Sequence, residues 1–207
     1  MTRADDMQGQ IAPIDGRRQR TVDSRARIIA AMLDLTEEGH VSVSAELVAD
    51  RARVGLRTVF RHFKDMDSLY REMSLNVGAR LRAEVSFEFT ADTWRGRLVE
   101  LVDRRATVFE KIAPWKRAEA AHRHRSKALE DDTRRLNDHL REVLRLVLPG
   151  SVAKDVVVFE ALDLLLSFET WERLRRGQSL SPAEARGVLE AAIGALLANQ
   201  VTAARTA

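Results

Sequence analysis

The segment RARVGLRTVFRHFK, Arg51 to Lys64, holds five Arg or Lys among its fourteen residues and no acidic residue. Guanidinium and ammonium groups at this density suit phosphate, and an arginine fork also matches the O6 and N7 edge of guanine. On a helical wheel, Val59 and Phe63 point one way with Leu56 close by, while Arg57, Thr58, Phe60, Arg61 and Lys64 point the other. A merely solvated face mixes both signs of charge, whereas this one is cationic only. No reaction chemistry competes with it. The chain has no cysteine, so thiolate nucleophiles, thiolate zinc sites and disulfides are excluded. His122 and His124, two apart on a helix, point in nearly opposite directions, and His40, His62 and His139 have no clustered carboxylates. There is no Gly-rich phosphate loop and no nucleophile elbow. No metal, no cofactor and no catalytic residue is expected.

The elements that must position the basic residues are helices. Ile28, Ala31, Met32 and Leu35 follow helical spacing, and Gly39 ends that helix. Ser44 is the expected N-cap of a short helix that turns Val48, Ala49 and Ala52 inward. A second short helix spans about 56–62, and Asp65 caps a longer one bearing Leu69, Tyr70, Met73, Val77 and Leu81. Two short helices joined by a tight turn, with a longer helix on each side, form a helix-turn-helix. In such a unit Arg57 and Arg61 are placed to read bases in a major groove. Thr58, His62, Lys64 and the N-terminus of the helix after Ser44 are placed for phosphates.

Farther along, Leu98 to Ile112 form another stripe, which Pro114 is expected to interrupt. Leu129 to Val147 mark a long helix stopped by Pro149-Gly150. One unusually apolar helix is expected over 152–176, and a last one from Ser181 with Pro182 in its first turn. Nothing alternates with a period of two, so the class is all-α, with about nine helices. The expected organisation is a disordered arm over 1–20, ending in the basic cluster Arg17, Arg18 and Arg20, then a helix-turn-helix domain over 21–66. A helical ligand-binding and dimerisation domain follows over 67–207.

Composition agrees with a packed domain: 45% of residues are apolar and 31% charged, with 34 basic against 31 acidic. The run VVVFEALDLLLSF is too short for a membrane span and is broken by Glu160 and Asp163. The N-terminal segment has no apolar secretory core, so a cytoplasmic location is expected.

SAELVADRARVGLRTVFRHFKDMDSLYREM resembles the DNA-binding segment of the TetR/AcrR family of bacterial transcription regulators. Ser44, Val48, Ala49, Ala52, Val54, Thr58, Val59, His62, Phe63, Asp65, Asp67 and Leu69 stand at matching positions of the family pattern. SFETWERLRRGQSLSPAEARGVLEAAIGALLA is similar to the final two helices of many members. Relative to that pattern, Arg53 replaces the turn glycine, Gly55 replaces a serine cap, Phe60 stands for tyrosine and Met66 for lysine. The resemblance implies double-stranded DNA as partner, an unknown small-molecule effector, and a repressor released from a pseudo-palindromic operator. Ser44, Arg53, Arg57, Thr58, Phe60, Arg61, His62 and Lys64 are the implied DNA-facing set.

A homodimer through the last two helices is also supported by residue type: the eighth is too apolar to be covered by one neighbour, and the ninth carries the small-residue apolar stripe LEAAIGALLA. Arg105 sits inside the apolar stripe of the fifth helix, and Glu160, Asp163, Ser167 and Thr170 form a polar stripe on the eighth. Two readings stand side by side. Arg105, Glu160, Asp163 and Ser167 line an effector pocket walled by aromatics such as Trp94, Phe109, Trp115 and Trp171. Or Arg105 pairs internally with a carboxylate, or the stripe lies in a dimer seam. Two other functional classes stay open: an architectural nucleic-acid binder without ligand control, and an all-α carrier or enzyme with a vestigial helix-turn-helix.

Overall fold

The computed structural model describes residues 16–84, 88–123 and 126–206. Among them there are ten α-helices, one π-helical turn and no strand. The helices are α1 (Gly16–Glu37), α2 (Ala45–Ala52), α3 (Leu56–His62), α4 (Met66–Glu84) and α5 (Trp94–Arg123). They continue with α6 (Lys127–Val147), α7 (Gly150–Ala153), α8 (Val156–Leu165), α9 (Phe168–Glu172) and, after the π turn Arg173–Gly177, α10 (Pro182–Thr206). The expected arm over 1–20 lies outside the described residues as far as residue 15, and Gly16–Arg20 belong to the start of α1.

Local chemistry explains where the helices begin and end. Gly39, at φ 96°, donates to Thr36 O while His40 N–H reaches back to Leu35 O. That pair of bonds closes α1 in the left-handed conformation that glycine adopts without penalty. Asp155 accepts from Val158 N–H at the start of α8, and Ser167 accepts from Thr170 N–H at the start of α9. Ser181 and Glu184 cap α10 reciprocally, at 3.2 and 2.7 Å.

Two expectations about the distal helices are corrected. Pro114 does not interrupt the fifth helix: α5 runs through it, because buried residues on both sides, Ile112, Ala113 and Ala118, hold the two turns in line. The single helix expected over 152–176 is divided into α7, α8, α9 and the π turn. Asp155 and Ser167 are N-cap residues inside an apolar run, and capping starts a helix afresh even where hydrophobicity is continuous.

One apolar core runs through the described residues. α1 packs on α2, α3, α4 and α5, and α4 in turn packs on α5 and α6. α10 lies against α5 and α8. The basic segment is thus mounted on a scaffold continuous with the distal helices.

Candidate functional site

α3 is held from beneath. Val59 and Phe63 are buried, and the Arg25 guanidinium of α1 lies 5.1 Å over the Phe63 ring. Arg25 is itself fixed by Glu72 of α4 at 3.0 and 2.9 Å, so one cation ties α1, α3 and α4 together. Ser24 Oγ lies 2.7 Å from His62 Nε2. Leu56, placed near the inward side by the wheel, is exposed, because the N-terminal turn of α3 projects past the edge of the core.

The turn between α2 and α3 repeats the glycine-type closure without glycine. Arg53 adopts φ 53° and ψ 50°, Arg53 N–H donates to Asp50 O, and Val54 N–H donates to Ala49 O. A left-handed non-glycine residue costs about 1–2 kcal/mol, and here it sets a guanidinium on the outer surface. Ser44 caps α2 by accepting from Leu47 N–H at 3.3 Å, and Asp65 caps α4 by accepting from Ser68 N–H at 2.9 Å. Gly55 precedes α3 with no side-chain cap.

The cations of the segment divide into two groups. Arg51 forms a two-pronged bridge to Glu38, at 2.7 Å on each prong, which holds the Glu38 carboxyl below its usual range. Arg53, Arg57, Arg61 and Lys64 are exposed and in no ion pair among the described residues, and Phe60 is 47% exposed among them. Thr58 is half-buried on the same helix. His62 is turned toward α1 through Ser24, and burial, helped by Arg61 and Arg25, pushes its pKa down.

A second junction is not visible in the sequence. His122, which belongs to the charge run HRHR and reads there as solvated surface, stacks on Tyr70 of α4, with ring centroids 4.5 Å apart and planes 18° apart. Its Nε2 lies 2.8 Å from Asp67 Oδ1 at the first turn of α4. His124 lies outside the described residues. Only the packing of α5 on α4 joins groups 55 positions apart in sequence.

In the distal half, Phe109 and Trp171 are core residues, and Trp171 Nε1–H donates to Glu110 at 2.8 Å. Trp115 packs against the same core, with its Nε1 meeting no acceptor among the described residues. Arg105 is buried and donates to Leu166 O at 2.7 Å and Leu140 O at 2.5 Å. Its direct partners are therefore carbonyls, not the carboxylates of the expected stripe. Arg141 of α6 takes those instead, binding Glu160 at 2.5 and 2.8 Å and Asp163 at 2.6 Å. Ser167 is spent on capping α9, so the stripe of the single expected helix is not one surface. Arg141 is legible in the sequence only as one more basic residue of α6, because spacing within one helix does not reveal partners on another.

Among the described residues, no helix is long and apolar enough to cross a membrane, and no group of His, Asp and Glu is arranged to hold a metal ion.

No family model and no curated protein matches the sequence. Among solved structures, a transcriptional regulator from Rhodococcus sp. Rha1 is similar, with a TM-score of 0.68 and 21% identity, covering 85% of this chain and 97% of that one. A TetR-family transcriptional regulator from Rhodococcus sp. follows with a TM-score of 0.63 and 20% identity over 84% and 98% of the two chains. A TetR transcriptional regulator from Rhodococcus sp. RHA1 gives 0.54 and 21% over 88% and 98%. The fold is that of TetR-family regulators.

Proposed function

We propose that the chain is a sequence-specific DNA-binding transcription regulator of the TetR/AcrR type, acting in the cytoplasm by binding rather than by catalysis. The observation that carries this reading is the outer face of the helix-turn-helix. Arg53, Arg57, Arg61 and Lys64 are exposed and in no ion pair among the described residues, and Phe60 of the same stretch is exposed too, while Arg51 of the same run is neutralised by Glu38. Unpaired cations on a buttressed short helix and at its two ends match a polyanion. Arg57 and Arg61 read base edges, Phe60 packs on sugars or thymine methyls, and Arg53, Thr58, Lys64 and the backbone beside Ser44 take phosphates. His62, bound to Ser24, serves by fixing the pose of α3.

Residues 21–66 form the reading head and 67–207 the effector and dimer part. Val156, Val157 and Leu164 of α8 and Val188 of α10 are exposed apolar residues on two helices packed together, which supports a homodimer through them. The dimer reads a pseudo-palindromic operator with half-sites about one helical turn, or a multiple, apart. A small molecule in the distal half releases a repressor by favouring a spacing of the two α3 copies that misfits successive grooves.

Selection of bound fragments from random duplex DNA, at two salt concentrations and with Arg57→Ala alongside, tests this. A palindrome enriched by the parent and relaxed by the variant is expected. Binding with no enriched sequence, untouched by the substitution and lost in salt, sinks it in favour of a purely electrostatic binder.

A further inference from the structure

α1 and α4 border an open cleft of about 440 Å³, a volume that takes a small organic ligand. One wall belongs to α1, which sends Ile28, Ala31, Met32 and Leu35 into the core. A neighbouring strip of the same helix, Ala26, Ile29, Ala30 and Leu33, faces the cleft and is apolar throughout. Ala26 and Ala30 are exposed, and their short side chains leave the room. Val22, 57% exposed, carries the apolar wall out to the rim.

The wall supplied by α4 is polar. Glu72, Asn76 and Arg80 follow one another at four-residue steps, while Leu69, Met73 and Val77 of the same helix enter the core. These polar groups differ in what they have left to offer. Glu72 is held by Arg25 on both oxygens, at 3.0 and 2.9 Å, so that pair is closed on itself. Arg80 is exposed and in no ion pair among the described residues. Asn76 donates one amide N–H to Glu72 O at 2.8 Å and has a second to give. The unmatched charge of the cleft is therefore one cation, with an amide donor one turn before it and an apolar wall on α1.

We infer that the α1–α4 cleft binds a small amphipathic organic anion, with its carboxylate at Arg80 and Asn76 and its apolar body on Ala26, Ile29, Ala30 and Leu33. A carboxylate finds there a free guanidinium and a free amide N–H. A cationic ligand would face Arg80, with Glu72 already taken by Arg25. Such a site goes beyond the regulator reading, which puts its effector in the distal half, and it stands or falls without that reading. It lies beside the seat of α3, since Arg25 borders the cleft and also covers the Phe63 ring.

The test is calorimetric titration of the full-length protein with octanoate, phenylbutyrate and naphthoate, each beside its uncharged amide. The parent is compared with Ala30→Trp, which fills the cleft, and with Arg80→Gln, which removes its free cation. Arg27→Gln, at an exposed cation of α1 that does not line the cleft, is the control. All three substitutions fall on exposed residues, and melting curves establish that each variant folds. At least one acid is expected to bind the parent, and its amide to bind at least about threefold more weakly, the scale of one partly exposed ion pair. Ala30→Trp is expected to abolish binding, Arg80→Gln to bring the acid down to the level of its amide, and Arg27→Gln to match the parent. Acid and amide binding alike, acid binding unchanged in Ala30→Trp or Arg80→Gln, or an equal loss in Arg27→Gln each overturns the proposal. So does a folded parent that binds none of the acids, which leaves the cleft to a partner helix or to solvent.

Discussion

Ser24 on α1 and His62 at the end of α3 are joined at 2.7 Å, and the bond has a definite direction. Ser24 Oγ–H already donates to Thr21 O at 3.0 Å, so Oγ accepts the Nε2–H of His62. The imidazole is thus held as a donor toward α1, and the last turn of the basic helix is fixed to the scaffold rather than left to the solvent.

Ser24→Ala leaves that half-buried N–H without its acceptor. A loss of about 1 kcal/mol in stability is expected from urea unfolding. Operator affinity, read by fluorescence anisotropy, falls as well because the pose of α3 loosens. A variant with lower stability and unchanged affinity would separate the bond from DNA reading.

The pKa of His62 is lowered from 6.5, first by burial and then by Arg61 and Arg25. A lowered folded pKa means that the unfolded chain binds the proton more readily. The contribution of His62 is therefore fully present above about pH 6.5 and is lost as the pH falls through the folded value. His62→Gln should flatten that part of the stability curve between about pH 7 and 5, measured by chemical denaturation at each pH.

Arg53→Gly relieves the left-handed backbone at φ 53°. The unfolding temperature should rise, by the equivalent of about 1 kcal/mol of stability, while DNA affinity drops through the loss of one cation. A parallel loss of stability and affinity would instead mean that the Arg53 side chain supports the turn.

Arg57→Ala and Lys64→Ala should fail in different ways. The first is expected to cost about 1–3 kcal/mol and relax one operator position; the second weakens all sequences alike and lowers the salt slope by about one. Binding isotherms on the selected operator and its single-base variants, at several salt concentrations, distinguish them.

Leu164→Glu together with Val157→Asp places charge on the exposed apolar face of α8. Sedimentation is expected to report a dimer for the parent and a monomer for the double variant. Two-site operator binding should disappear while helicity is kept.

What the residue order determined by itself is local. Helical periodicity, the cap residues Ser44, Asp65 and Ser181, and the closing Gly39 act within a turn or two of chain, so α1–α4 and the two-sided character of α3 were legible directly. The left-handed turn at Arg53 was legible only through the resemblance, since nothing local favours arginine there. Tertiary structure decided which charges are spent and which remain. Arg51 is consumed by Glu38 from thirteen residues away, His62 by Ser24, and Glu160 with Asp163 by Arg141. It also decided that Pro114 is carried inside α5 and that the apolar run after Gly150 breaks at Asp155 and Ser167. The physical reason is range. Backbone hydrogen bonds and caps are made with near neighbours, whereas an ion pair or a buried ring takes its partner from whichever helix packing brings within about 4 Å.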